Sequence, residues 1–218
     1  VSDMSDMLDK TIGVSVSKRN VSGRAYNDGI SIRGLGGKRV NILIDGIRVA
    51  EAYTGSGRDV VDVDLLKRVE ILKGPSSALY GSDGLAGAIS YITKDASDLA
   101  DFGESYFSVN TSYDEDNEQT KVGFIAARVG ENIETLLQVT SRELSQLELH
   151  DDATQELDPF DGEQTSILAK FQFNLSESVD ATLTLDHQEF EGDYIFNSQA
   201  GMSYFPQVTS TSNVLGMD

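Results

Sequence analysis

Between residues 106 and 186 the chain is written in a two-residue period, and no other feature of its 218 residues restricts the fold so far. "VDATLTLD" at 179–186 puts Val179, Ala181, Leu183 and Leu185 on one face of a strand, with Asp180, Thr182, Thr184 and Asp186 on the other. "ILAKFQFN" at 167–174 sets Ile167, Ala169, Phe171 and Phe173 against Leu168, Lys170, Gln172 and Asn174. Residues 106–113 set Phe107, Val109 and Tyr113 against Ser108, Asn110 and Ser112, and residues 133–142 set Ile133, Leu137 and Val139 against Glu134, Gln138 and Arg142. Only the strand at 120–129 has no clear face.

The connections alternate in length: "DEDNE", a tight "GEN", the long acidic "LSQLELHDDATQELDPFDGE", then a tight "LSES". Strands of roughly ten residues with one apolar face, joined by short turns on one side and longer loops on the other, are the pattern of a transmembrane β-barrel. A soluble antiparallel sandwich is the rival built from similar strands. Five such strands are too few to close a transporter-sized pore.

Composition divides the chain near Asp98. Up to that residue there are 13 basic and 13 acidic side chains, whereas the remainder holds 4 basic and 23 acidic, so the net charge of −19 belongs to residues 99–218. All 9 Phe also follow Asp98, while 13 of the 20 Gly precede it. Two units are expected, 1–98 and 99–218. An acidic excess of this size, with no clustered Lys/Arg face, argues against nucleic acid as a partner. The absence of cysteine excludes a disulfide scaffold and a thiolate metal site.

The first unit reads as small and α+β. Met4, Met7 and Leu8 space a short helix over Ser2–Lys10, and "GVSVS" at 13–17 reads as a strand. Residues 40–49 form a hairpin turning at Asp45-Gly46. "VDLLKRVEILKGP" passes from one helical turn into a strand that Gly74-Pro75 ends, and "SSALYGSDGLAGAISYITKD" gives a helical turn, a glycine-rich loop and a last strand at 88–94.

"ISIRGLGGKRVNILIDGIRV" and "DLLKRVEILKGPSSALYGSDGLAGAISYITKD", in this order and followed by period-two strands, resemble the plug domain of a TonB-dependent outer-membrane receptor running into its barrel. Their wording is most similar to the haem and haemoglobin receptor branch. The resemblance implies an α+β plug domain (1–98) followed by antiparallel transmembrane β-barrel strands (99–218), an incomplete barrel of about 22 strands. Such a barrel needs well over about 400 residues, so the TonB box and most of the strands are expected to lie outside this sequence. It also implies a location in the outer membrane of a Gram-negative bacterium and active uptake of an iron-containing ligand. Haem or haemoglobin leads, and a ferric siderophore or, further off, cobalamin is the alternative. The expected partners are the TonB energy-transducing complex, the transported ligand and outer-membrane lipid. No resident cofactor is expected, haem or a ferric chelate being the cargo.

Carried over by motif, Arg33 of "IRG" with Glu70 and Lys73 around "VEILKGP" would latch the plug to barrel carboxylates. Lys73 stands where the family uses Arg, replacing a two-pronged donor by a point charge. The loops expected to face outward, 18–28 and 50–62, offer Arg24, Tyr26, Tyr53 and Arg58 as ligand contacts: Arg pairs with an anionic carboxylate, Tyr stacks on a flat macrocycle or ligates iron. His150, in the long acidic loop, is a further candidate, and His187 near a strand end a lesser one.

No catalytic or resident metal site is expected. "GLGG" lies within a hairpin, no Gly-Lys-Ser/Thr follows a glycine run, and neither His has a nearby nucleophile motif. "DEDNEQ" has Gln119 where a calcium loop needs glycine, so the acidic loops read as a solvated rim. The class outside transport is a soluble or surface-attached β-rich binding protein.

Overall fold

The computed structural model describes residues 8, 10–16, 30–49, 61–80, 84–115, 119–145, 160–176, 179–196 and 203–217. Its N-terminal unit holds two small sheets. Strands β1 (Val14–Val16), β2 (Ile30–Ile32) and β3 (Leu35–Gly36) form an antiparallel meander. Strands β4 (Val40–Ile44), β5 (Ile47–Arg48), β6 (Leu66–Lys73) and β7 (Gly87–Thr93) form the second sheet in the order β5-β4-β7-β6, with β4 parallel to β7. A single helical turn, α1 (Ser77–Tyr80), and 3-10 turns at Gly37–Arg39, Val63–Leu65 and Ala96–Asp98 connect them. Of the expected first helix only Leu8 and Lys10 are among the described residues; Leu8 is buried in the core with Ile32, Ile42, Ile89 and Tyr91.

Backbone chirality explains both tight hairpins. At β4–β5 the turn pair Asp45 and Gly46 has φ of 46° and 82°, the doubly left-handed turn whose twist matches two antiparallel strands. At β2–β3 the pair is Arg33 and Gly34, with φ of 53° and 80°. Arg33 therefore occupies a position that costs an ordinary L-residue about 1 kcal/mol or more. Gly87 sits under a tighter constraint: its φ is 152°, and a Cβ there would lie 2.1 Å from the Leu72 carbonyl oxygen.

The C-terminal unit is one antiparallel sheet of six strands in chain order: β8 (Ser105–Asp114), β9 (Gln119–Val129), β10 (Ile133–Ser145), β11 (Phe160–Ser176), β12 (Val179–Phe196) and β13 (Ser203–Met217). It is open, with edges at β8 and β13. The register carries a row of apolar residues across one face: Phe107 opposite Ala126, Ala126 opposite Leu137, Leu137 opposite Ala169, and Ala169 opposite Leu185. On that face Phe107 and Phe124 meet edge to face at 5.1 Å. Leu137, Leu183 and Leu185 stand exposed there, so the face is apolar and uncovered. The opposite face holds Gln138, Thr140, Arg142, Gln164, Ser166, Lys170, Thr184, Asp186 and Gln188, all buried, and Gln138, Arg142, Lys170 and Gln188 bond to the N-terminal unit. Polar side chains buried and apolar ones exposed is the inverse of a water-soluble sheet and suits a lipid-facing wall.

The last two complete hairpin strands outrun the expectation of about ten residues, with β11 spanning 17 and β12 spanning 18. β10 runs to Ser145 and β11 begins at Phe160, so both reach into the segment expected as a loop at 144–163. Beyond the apolar rows the outward face turns acidic, with Glu143 opposite Glu163 and Glu163 opposite Glu191. No helix among the described residues is long and apolar enough to cross a membrane; strands do the spanning in a barrel.

Candidate functional site

The residues with most to explain are charged ones that the fold buries where the N-terminal unit meets the sheet. Two 3-10 turns supply the carboxylates. Asp62 precedes Val63–Leu65 and caps it, its Oδ1 accepting the Asp64 N–H at 2.9 Å. Asp95 precedes Ala96–Asp98 in a capping box, and its own N–H donates to Asp98 Oδ2 at 2.8 Å. The β4–β5 turn supplies the third: Asp45 accepts the Thr93 N–H at 2.8 Å and the Thr93 hydroxyl at 2.5 Å, so its carboxylate is fixed by its own unit. In each case a local turn rule places an acid side chain at the end of an element, aimed at the sheet.

Three neighbouring strands answer with cations. Arg142 on β10 binds Asp62 Oδ1 and reaches Asp64 Oδ2 at 2.5 Å, and its side chain is 2% exposed. Lys121 on β9 joins Asp64 Oδ2 at 2.9 Å. Lys170 on β11 bridges two elements of the N-terminal unit, Asp95 at 2.9 Å and Asp45 at 3.2 Å. Amides complete the set: Gln138 Nε2 donates to the Asp64 carbonyl at 2.8 Å, and Gln188 Oε1 on β12 accepts the Asp62 backbone N–H at 2.8 Å. Beside this network lies a small apolar contact, with Leu65 and Ala96 packed on Ile125, Ala127, Val129, Leu136 and Leu168.

The electrostatics follow from this geometry. Burial alone would raise the Asp64 carboxyl, but the Arg142 guanidinium and the Lys121 ammonium outweigh it and hold the group below its ordinary range. Lys94, whose Nζ donates to the Asp64 carbonyl at 2.5 Å, is pushed down by burial against the pull of Asp64 and Asp62. Lys67 binds Asp98 at 2.5 Å, which lifts the lysine. Burial works to raise Asp98, yet its bonds to Lys67 and the Asp95 N–H hold it low. Buried ion pairs gain little net stability because both charges lose water, but removing one partner costs about 3–5 kcal/mol. Such an interface fixes orientation more than it adds net stability.

The predicted latch residues stand elsewhere. Arg33 is exposed, its N–H donating to the Gly13 carbonyl at 2.8 Å. Glu70 is exposed on β6 and accepts from Arg68 Nε at 2.8 Å. Lys73 Nζ donates to the Ile12 carbonyl within its own unit. Among the described residues none of the three bonds to the six-stranded sheet. Arg24, Tyr26, Tyr53, Arg58 and His150 lie outside the described residues. His187 points to the apolar face of β12, 4.0 Å from Glu189.

Sequence reading missed Asp45, Asp62, Asp64 and Asp95 and the sheet residues that receive them. A signal was present: residues 99–218 contain four cations among 23 acids, and Arg142 and Lys170 fall on the polar side of their period-two strands. An acidic wall that keeps three of its four cations, Lys121, Arg142 and Lys170, on one face has something acidic opposite.

The family model described as TonB-dependent Receptor Plug Domain matches residues 1–88. Haemoglobin-binding protein A of Haemophilus influenzae is 30% identical over 211 residues, covering 86% of this chain and 20% of that protein. The vitamin B12 transporter of Vibrio vulnificus is 40% identical over 88 residues, which is 40% of this chain and 14% of the transporter. The apoprotein structure of the iron transporter FrpB from Neisseria meningitidis superposes with a TM-score of 0.79 at 22% identity, covering 100% of this chain and 34% of that one. The chain thus spans about a fifth of the haemoglobin-binding protein. These relatives are a binding protein and transporters rather than enzymes. With a plug-domain match and a relative whose likeness runs past it into the strands, the chain belongs to the TonB-dependent receptors, carrying their plug domain followed by antiparallel barrel strands.

Proposed function

We propose that the chain is the plug (1–98) and first wall strands (99–218) of an outer-membrane receptor of a Gram-negative bacterium that takes up haem, free or from haemoglobin, with energy delivered through TonB. The observation that carries this reading is the seating of the plug on the polar face of a sheet whose other face is apolar and uncovered, through ion pairs buried at the seam. A domain so held blocks the lumen until work is done on it. The preference for haem rests on likeness to haemoglobin-binding protein A, which continues past the plug into the strands, whereas likeness to the vitamin B12 transporter covers 40% of the chain. That second likeness keeps cobalamin as the alternative cargo, beside a ferric siderophore.

In this reading Arg24, Tyr26, Tyr53, Arg58 and His150 contact the ligand, and Arg33, Glu70 and Lys73 latch the plug to later strands. The test is growth of an iron-starved host, lacking its own haem receptor, that carries the full-length gene. Growth on haem that disappears when TonB is deleted is expected. Growth on a ferric siderophore but not on haem overturns the ligand. A full-length product that stays out of the outer-membrane fraction and migrates identically heated or unheated overturns the receptor.

A further inference from the structure

Among the described residues, every cation on the inward face of the wall is matched to a plug carboxylate, yet one buried wall carboxylate, Asp186 on β12, is paired with no cation. Its residue is 3% exposed. What it does hold is Gln188, two positions along the same face: Gln188 Nε2 donates to both carboxylate oxygens, at 3.0 and 3.2 Å. A side-chain amide has one accepting and one donating end, and a carboxylate can only accept. The amino end of Gln188 is therefore committed to Asp186, and its carbonyl end is left facing the plug, where Oε1 takes the Asp62 backbone N–H at 2.8 Å. Reversed, the amide would present a donor to a donor.

We propose that Asp186 is a positioning residue of the plug attachment: it fixes the orientation of the Gln188 amide, and through it the hydrogen bond that holds the backbone of Asp62 to the wall. The inference rests on the reading of the N-terminal unit as a plug seated on its wall. Asp62 is the point where this orientation matters most, because the same residue caps the Val63–Leu65 turn and binds Arg142. A wall that placed a buried acid here without a cation bears a desolvation penalty. Setting the polarity of the amide that accepts the Asp62 backbone N–H accounts for it.

The test uses the full-length receptor in detergent, with hydrogen exchange followed in the peptide that contains Asp62. Asp186→Asn is nearly isosteric, but its own amide accepts either orientation of Gln188, so the Asp62 N–H loses its assured acceptor. Exchange at that position is expected to accelerate about three- to tenfold, the range of one hydrogen bond. The swap Asp186→Asn with Gln188→Glu preserves the charge count and restores the pattern, since the amide introduced on the first side chain now donates and the carboxylate introduced on the second accepts from Asp62. Protection is expected to return to within about twofold of wild type. An unchanged rate in Asp186→Asn overturns the proposal, and so does a swap that stays as fast as the single variant, which would mark Asp186 as mere bulk or charge. Because exchange is read without ligand, wild-type protein that fails to transport anything counts against the receptor reading and leaves this result to stand separately.

Discussion

Replacing Arg142 by Met should loosen the plug far more than removing both ends of the same ion pair. Arg142 and Asp62 are 2% and 1% exposed at their side chains, whereas Asp64, the second carboxylate on that guanidinium, is 29% exposed and keeps Lys121 at 2.9 Å. Methionine fills much of the arginine volume, so the loss is electrostatic and falls on Asp62, left as a buried anion with no cation bonded to it. Orphaning one member of a buried pair costs about 3–5 kcal/mol. At tenfold per 1.4 kcal/mol this shifts the docked–undocked balance by about two to three and a half orders of magnitude. Asp62→Asn added to Arg142→Met removes the orphan charge and retains the cap on Val63–Leu65, since Asn caps as well as Asp. Most of the loss should return, to within about 1.5 kcal/mol of wild type. The chain has no cysteine, so Ala96→Cys, at a residue 2% exposed at the seam, makes a reporter in a full-length receptor from which every cysteine outside these residues has been replaced by Ser, and maleimide labelling measures the undocked fraction. Wild-type labelling rates in Arg142→Met would refute the reasoning. A double variant that labels faster than Arg142→Met would refute it equally, since Asp62 would then be stabilising without its arginine.

Acid should undock the plug through Asp64. Its folded carboxyl lies below the ordinary 3.8, so the stabilisation is complete above that value and is lost as pH falls through the lowered one; labelling of the Ala96→Cys reporter should rise only at strongly acidic pH. Gly87→Ala should destabilise the plug by at least about 2 kcal/mol, because φ of 152° and a Cβ 2.1 Å from the Leu72 carbonyl both oppose it; a urea midpoint for plug unfolding equal to wild type would contradict this. Glu163→Gln should stabilise the strand extensions by about 0.5–1 kcal/mol by breaking the run of like charges with Glu143 and Glu191, with the gain shrinking as salt is added in a denaturation series. Leu137→Arg, on the apolar row, should cost about 2–4 kcal/mol in lipid, seen as reduced heat-modifiable protein in the outer membrane.

The wall was legible where its two faces differ chemically. β10, β11 and β12 alternate apolar and polar because one face is uncovered and the other meets a polar domain. β9 was unreadable for a physical reason: Ile125, Ala127 and Val129 turn inward to the cluster around Leu65, while Phe124 and Ala126 turn outward, so both faces are apolar at that end. β13, "SYFPQVTSTSNVLGM", was not anticipated, because Ser and Thr occupy both parities and only pairing with β12 defines the strand. The long strands were underestimated because past Thr165 and Glu189 the apolar face gives way to acids and the period fades. Turn chemistry was the most legible element, and Asp45-Gly46 turns where its residues say it should. The seam itself was hidden because its partners are far apart in sequence: Lys121 and Asp64 by 57 positions, Asp62 and Gln188 by 126. No local pattern encodes such a pairing, and only the placement of cations within an acidic unit hinted at it.

Those separations also set an order of events. Closing a chain loop costs free energy that grows only with the logarithm of its length, and the loops that join plug to wall close at 57, 75, 80 and 126 residues. Among the described residues the plug meets its first cation on β9, its last on β11 and the Gln188 amide on β12. Seating on these strands can therefore precede any pairing at the outer edge of β13. Docking of the plug and completion of the sheet are thus separable steps of folding.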